Sequence, residues 1–523
     1  MPIAGGFDVD GDGNLDFAMA SMRASPQGRT DTSQVFLVFG DATTGNSMDI
    51  AVANTRILEI FGEAIQENTG SEIWMDDVTG DGLGDLIIGR QNYSSGARTG
   101  AGAVTVVVGN PMLATFAASG TALDLGAIPA GLSVITFIGA QTLDRLGMWM
   151  RTGDINGDGI VDMALGADQA DVAGATNSGT VYVVLGGLHL DTTTVIDMAN
   201  FGSPAIVGNV AKLNPPPNAN DFHFGSSLAV GDLDGNGLSE VYISASLNRA
   251  GGTLPAAGAP AGSANGSGNN PGGSLFIFWD DNFPSTTPWP AGLEIDYASP
   301  LGAVTRIDGS SRANTFNSDR FGEELLPGAD YNGDGELDLF VGDISGNPAG
   351  LSNAGLGHVL FNSSLLRNET FDIDTPPSGI NVSHILGPRA GAIFGDTAAQ
   401  GDFDGGGLTD LAVGSPHDSP SARSEAGSAQ ILWGQASWPE VIDLSSGNRP
   451  SPSTFAITDI LGAAGGTASA DHGDTLMYSG TSADIDGDGR LDLIINEMQG
   501  NGVGAGTEDV GNLIIVSGSI IPR

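Results

Sequence analysis

Residues 154–162 read Asp-Ile-Asn-Gly-Asp-Gly-Ile-Val-Asp, and the chain then runs into MALG at 163–166 and TVYVVLG at 180–186. Asp or Asn at the first, third, fifth and ninth positions, with Gly at the fourth and sixth to permit a tight turn, gathers oxygens as a hard cation requires. Six further copies occur, at 8–16 (DVDGDGNLD), 77–85 (DVTGDGLGD), 232–240 (DLDGNGLSE), 330–338 (DYNGDGELD), 402–410 (DFDGGGLTD) and 484–492 (DIDGDGRLD). Their starts lie 69 to 98 residues apart, which marks an internal repeat rather than coincidence.

Each nonapeptide leads into a short apolar run, such as FAMA at 17–20, LIIG at 86–89 or LAVG at 411–414, which reads as a buried strand. A second run follows, as in VFLVFG at 35–40 and AQILWG at 429–434, and a third ends in Gly, as in ILEIFG at 57–62 and ITDILG at 457–462. A fourth begins beside Phe-Gly: Phe224-Gly225, Phe321-Gly322 and Phe394-Gly395, with Leu146-Gly147 and His472-Gly473 as variants. Four short strands per repeat with almost no helical period predict an all-β fold, a seven-bladed β-propeller of four-stranded antiparallel blades. The repeats are expected at about 1–62, 63–139, 140–208, 209–309, 310–387, 388–462 and 463–523, and 249–273 as a low-complexity loop insertion. The first loop starts at Asp8, leaving no room for a complete inner strand, and only GSIIPR follows Ser517. Incomplete ring closure with a truncated first blade is therefore expected, and Met1 is read as an internal or misassigned start, or the chain as a fragment.

Composition narrows the function. The 523 residues contain no Cys, which removes disulfide frameworks, thiolate metal sites and Cys nucleophiles. Acidic residues outnumber basic ones by 62 to 18, for a formal charge of −44, and Lys212 is the only lysine. Such a chain repels phosphate backbones and anionic lipid, so neither nucleic acid nor direct membrane insertion is expected. Asp outnumbers Glu by 48 to 14, a preference suited to turns and oxygen-ligand loops.

Calcium is the expected ion, up to seven of them. The candidate ligands are Asp8, Asp10, Asp12 and Asp16 with the carbonyl of Asn14; Asp77, Thr79, Asp81 and Asp85 with Leu83; Asp154, Asn156, Asp158 and Asp162 with Ile160. They continue with Asp232, Asp234, Asn236 and Glu240 with Leu238; Asp330, Asn332, Asp334 and Asp338 with Glu336; Asp402, Asp404 and Asp410 with Leu408; and Asp484, Asp486, Asp488 and Asp492 with Arg490. Thr79 in the second loop and Gly406 in the sixth each cost an oxygen, so those two should bind least tightly. An EF-hand needs Glu at position 12 and flanking helices, but Met19, Ile88, Leu165, Ile243, Val341, Val413 and Ile495 stand there. Loops of extracellular-type affinity would be empty in a cytosol, which favours an extracellular or cell-surface setting.

The Phe-Gly pair, the D-x-[DN]-G-[DN]-G-x-x-D loop, the strand after it and the Gly-x-V-Y-V segment together resemble FG-GAP repeats, which form the propeller of integrin α subunits. The resemblance covers essentially the whole chain. It implies calcium loops joining the first and second strands of each blade, and a role in extracellular recognition and adhesion. The ligand would be a protein or glycan, and other domains of a longer polypeptide are possible partners. Neither D-x-S-x-S nor RGD is present, so integrin-like ligand chemistry is not implied. No HExxH, G-x-S-x-G, P-loop or dinucleotide fingerprint occurs, and His189, His223, His358, His384 and His417 read as surface or packing residues. A noncatalytic, calcium-stabilised recognition propeller is expected. The alternatives are a hydrolase or lyase hosted by the propeller, or a purely structural module of a longer surface protein.

Overall fold

The computed structural model describes residues 2–21, 24–40, 54–190, 195–203, 209–246, 272–285, 287–310, 320–466, 473–485, 488–500 and 511–523. Most of the 249–273 insertion, together with His472 and Asp486, lies outside these residues. The fold is an all-β seven-bladed propeller, and the seven sheets are separate, with no ladder running from one into another among the described residues. The chain divides into two compact units, Met1–Val230 with Leu238–Ile243 and Trp279–Ala303, and Gly231–Gly237 with Ser244–Phe278 and Val304–Arg523.

In the first unit, the opening sheet pairs Ile3–Phe7, Asp16–Ser21, Gln34–Val38 and Ile57–Phe61 in antiparallel order. The inner strand expected to be missing is thus present. Five residues suffice for it because Gly5 lies against Phe17, where a Cβ would approach within 2.8 Å, and the register shifts between Gly5 and Phe7 to meet Asp16. The second sheet is Thr69–Asp76, Asp85–Arg90, Ala103–Val107 and Val134–Ile138. The third is Met150–Gly153, Asp162–Ala167, Thr180–Val184 and Val210–Asn214, so its last strand falls beyond residue 208, where the third repeat was expected to stop.

In the second unit, Phe321–Ala329, Asp338–Asp343, Leu356–Phe361 and Asn381–Leu386 form the fifth sheet. The sixth consists of Ala398–Gly401, Asp410–Ser415, Ser428–Leu432 and Ile457–Leu461. The seventh has three strands among the described residues: Leu476–Ala483, Asp492–Glu497 and Asn512–Val516. Among the described residues the first sheet thus has its inner strand, and the seventh has the fewest strands.

The second and third strands bury nearly every residue, which explains their unbroken apolar runs. Facing sheets pack through one such layer. Ile87, Val104, Val106 and Phe137 of the second sheet meet Met163, Leu165 and Tyr182 of the third, all 2 % exposed or less. Phe340, Val359 and Ile385 meet Leu411, Val413 and Leu432 in the same way.

The Phe of Phe-Gly fastens one sheet to the next. Phe224, Phe394 and Leu146 each form a parallel bridge to a Gly ahead of the preceding sheet's third strand, Gly179, Gly355 and Gly102. In the seventh repeat the bridge to Gly427 is made by Leu476. Met477 then takes the left-handed conformation (φ 57) that Gly supplies elsewhere.

Among the described residues, five sheets gain a fifth strand from the following repeat: the connection between its third and fourth strands lays two to four residues parallel to the outer edge. Leu123–Asp124 lies beside Ile60–Phe61, Val195–Asp197 beside Thr136–Ile138, Leu293–Asp296 beside Ala211–Asn214, and Val441–Asp443 beside His384–Leu386. Thr370–Asp372 likewise runs beside Arg306–Asp308. Blades of four strands were expected; the additional strand caps an edge that would otherwise present unpaired main chain to solvent. The connection in the second repeat also carries an α-helix, Met112–Ser119, which buries Leu113 and Ala117.

Candidate metal-binding loops

Every nonapeptide joins the first strand of a blade to the second. Its conformation follows from the position-1 carboxylate, which gathers the N–H groups of the two loop glycines. Asp154 accepts from Gly157 at 2.7 Å through Oδ1 and from Gly159 at 2.9 Å through Oδ2. Both glycines have positive φ, 76° and 84°, which an L side chain would strain. Asp8, Asp77 and Asp330 repeat the arrangement with their own glycines. Asp232 bonds Gly235 and Gly237, each at 2.7 Å; Leu238 and Glu240 of that loop belong to the other unit. Asp402 holds Gly406 and Gly407, and Asp484 holds Asp488 and Gly489.

The third and fifth positions continue the turn. Asn156 accepts from the Asp158 N–H at 2.8 Å, and Asp158 accepts from that of Ile160 at 2.9 Å. Asp10 and Asp12 in the first loop, and Asn332 and Asp334 in the fifth, do the same for Asp12, Asn14, Asp334 and Glu336. Asp81 and Asp488 bond the N–H of Leu83 and Arg490. In the second loop Thr79 supplies its N–H to Asp85, at 2.9 Å. In the sixth, Asp404 accepts from Gly406, and the Arg523 guanidinium lies 2.7 Å from its other oxygen.

The ninth position differs from the rest. Asp16, Asp85, Asp162, Asp338, Asp410 and Asp492 are all 2 % exposed or less. Asp162 accepts from Ile155 at 3.0 Å and Asn156 at 3.3 Å through Oδ2, and from Gly186, just past the third strand, at 2.8 Å through Oδ1. Gly40, Gly109, Gly434 and Gly518 serve Asp16, Asp85, Asp410 and Asp492 identically. One carboxylate thus staples the loop to the end of the third strand. Sequence reasoning missed this donor, although its signal was there: the Gly stands 24 residues after the Asp in four blades.

Burial raises four of these carboxyls against the pull of their N–H donors, to about 6 at Asp16 and Asp410 and about 7 at Asp85 and Asp162. Asp338 is pushed highest, to about 8. In its blade Asn362, left-handed at φ 59, stands where five other blades have Gly, and no donor reaches the buried Asp338 Oδ1 among the described residues.

An orphaned carboxylate oxygen and a row of desolvated acids are the chemistry a divalent cation would relieve, so the residues fit the ion expected for them. Oxygens of Asp8, Asp10 and Asp16 lie within 4.8 Å of one another, as do those of Asp402, Asp404 and Asp410. The latter belong to a loop expected to be deficient.

The histidines are packing groups where they are buried. His358 Nδ1 lies 2.9 Å from His384 Nδ1, and the two rings are 0 % and 6 % exposed. His223 faces Asp168 at 3.2 Å.

Residues 147–184, which span the third-blade loop and its strands, match the FG-GAP repeat family. The chain is 28% identical over 218 residues to integrin alpha-5 of Xenopus laevis, covering 40% of this chain and 16% of that protein. It is 27% identical over 187 residues to the phosphatidylinositol-glycan-specific phospholipase D of Rattus norvegicus, covering 34% and 18%. The chain thus spans less than a fifth of either relative. The Bacillus licheniformis rhamnogalacturonan lyase structure aligns over 94% of this chain and 69% of its own, with 13% identity and a TM-score of 0.36, below the level of a shared fold.

Proposed function

We propose that this chain, an FG-GAP-repeat β-propeller of the integrin α-like kind, is a calcium-binding recognition or adhesion module that works outside the cell and carries out no catalysis. The observation that supports it is the ninth-position carboxylate. Six of the seven are Asp buried almost completely at the joint between loop and third strand, on a chain of net charge −44. Acid is seldom buried without a counter-charge, and among the described residues the first, second, third and fifth loops carry no ion pair to an arginine, while Arg367 and Arg523 reach the fourth and sixth.

Asp or Asn at positions 1, 3 and 5, the carboxylate at position 9 and the carbonyl at position 7 would hold calcium, which supplies positive charge that ties the loop to the blade. At affinities near 10⁻⁴ M and millimolar calcium, each site would add about 1.4 kcal/mol to stability. The bound loops stiffen one end of each blade and leave other loops to contact a protein or glycan. Integrin alpha-5 among the relatives is in keeping with a surface role. A phospholipase D is also among them, so a screen for hydrolase and lyase turnover accompanies the ligand screen.

The test is calorimetric titration of the intact chain with calcium, alongside Asp158→Ala. Asp158 makes two hydrogen bonds at the rim, to Ile160 N–H and Asn156 Nδ2, so the substitution costs about 0.5–1 kcal/mol in chelator. In calcium the loss should grow by about 1.4 kcal/mol and one site should weaken. Equal losses in the two conditions would defeat the ligand assignment.

A further inference from the structure

Within each unit, neighbouring metal loops are joined through main chain. At three junctions among the described residues, two successive N–H groups at the end of a third strand are divided between loops. The first goes to the ninth-position carboxylate of the blade's own loop, the second to the position-2 carbonyl of the loop before. Gly186 N–H meets Asp162 Oδ1 at 2.8 Å, and Gly187 N–H meets Val78 O at 2.9 Å. Gly109 and Asn110 serve Asp85 and Val9 at 2.9 and 2.8 Å, and Gly434 and Gln435 serve Asp410 and Tyr331 at 2.8 and 3.1 Å. Val9, Val78 and Tyr331 are all 0 % exposed, so water cannot readily replace a lost bond there.

The eighth position adds a second link. Gly84 N–H donates to Asp8 O at 2.8 Å, Thr409 to Asp330 O at 3.2 Å and Leu491 to Asp402 O at 3.2 Å. The residue whose carboxylate organises one loop thus has its own carbonyl held by the next loop.

The seventh position adds a third link. A Cβ at Gly80 would lie 3.4 Å from both Ile160 Cδ1 and Cγ2, one at Gly11 would lie 3.3 Å from Leu83 Cδ2, and one at Gly333 would lie 2.8 Å from Leu408 Cδ2. Gly80 is a residue on which its loop turns, since Asp77 Oδ1 accepts its N–H at 2.7 Å. Ile160 therefore serves two loops: its carbonyl is a candidate ligand of the third, and its side chain lies on the turn of the second.

We propose that neighbouring loops take up calcium cooperatively, each occupied loop holding the loop before it in binding shape. This rests on the calcium reading above. Gly186 and Gly187 are consecutive, so a third loop drawn tight enough to fix Asp162 on the first N–H also fixes the second on Val78 O. Ile160, held through its carbonyl, keeps its side chain on Gly80. A slack third loop releases these contacts together. The second loop has most to gain, because Thr79 leaves it short of a carboxylate or amide oxygen. Linkage makes the effect mutual, so the second loop must favour binding at the third by the same factor.

Hydrogen exchange of the full chain, read by mass spectrometry across a series of free-calcium concentrations, gives each loop its own midpoint of protection. Asp158→Ala, a change confined to the third loop, should raise the midpoint of residues 77–85 about fivefold or more. Ile160→Ala keeps the carbonyl but takes the side chain off Gly80, and it should raise that midpoint too. Asp158→Ala added to Ile160→Ala should then raise it less than Asp158→Ala does in the parent. Residues 330–338, whose links run to the sixth loop, should keep the parent's midpoint, with far-UV circular dichroism confirming that every variant folds. A shift below about twofold at 77–85, with residues 154–162 showing their own loss, would overturn the coupling and leave the calcium reading standing. An equal shift at 330–338 would mark general loosening and overturn it as well. If no loop of the parent gained protection with calcium, both the coupling and the calcium reading would fall.

Discussion

Asp162→Asn separates the work of the buried carboxylate from that of the ion proposed to sit beside it. Three main-chain N–H groups converge on Asp162, yet burial still raises its carboxyl from 3.8 to about 7. The donors therefore do not replace the water that the charge has lost. A shift of about three units corresponds to about 4 kcal/mol against holding the ionised form once the pH is well above 7. The sign follows from proton counts: between about pH 4 and about pH 7 the folded chain keeps a proton that the unfolded chain sheds. Metal-free stability should therefore fall as pH rises through that window. Asn resembles the protonated acid; it removes the charge penalty but turns an NH₂ toward a donor, at a cost of about 1–3 kcal/mol. At pH 8 in chelator the removed penalty outweighs that cost, so Asp162→Asn should exceed the parent by about 1–3 kcal/mol. With millimolar calcium that difference should shrink by about 1.4 kcal/mol, because only the parent gains the ion. Urea unfolding at pH 5 and pH 8, with calcium and with chelator, reads all four values. A loss above about 2 kcal/mol for the variant in chelator at pH 8 would show that the carboxylate is a sufficient staple by itself and refute the reasoning.

Two further substitutions test other parts of the structure. His358 is held neutral by burial, its value lowered to about 3, with His384 Nδ1 at 2.9 Å and Asp343 Oδ2 at 4.0 Å facing it. Unfolding frees it to take up a proton below about 6.5, so its contribution is lost as pH falls from there toward 3, by about 2 kcal/mol at pH 5. His358→Gln, compared with the parent by urea unfolding at pH 7 and pH 5, should lose less over that interval; parallel losses would refute it. Arg98→Ala removes a two-pronged pair with Asp197, whose partners are 22% and 26% exposed, and should cost about 1 kcal/mol. The loss should be accompanied by faster amide exchange in Val195–Asp197, and unchanged exchange there would count against a role in holding the cover.

What could be read from the sequence depended on whether a local pattern was sufficient to fix the structure. The nonapeptide was legible because its turn is made by its own residues: Asp154 folds Gly157 and Gly159 around itself without help from elsewhere. The strands were legible because burial on both faces leaves unbroken apolar runs. A segment such as Ile442-Asp443 has no period to detect, and it pairs with a strand more than fifty residues earlier. Its meaning exists only beside the edge it covers. The Gly-to-Asp staple is intermediate, a long-range bond whose fixed spacing of 24 residues reflects two strands and their hairpin. The inner strand of the first blade was missed for the opposite reason. Length was taken as the requirement, whereas the close approach of Gly5 to Phe17 and a shift of register let Ile3–Phe7 reach Asp16 in five residues. Both kinds of contact keep acid where it can be answered: backbone N–H at the loops, guanidinium or amide at the covers. With 18 basic residues for 62 acidic ones, those answers cannot come from side chains alone, which is the physical reason to expect the loops to take cations from solution.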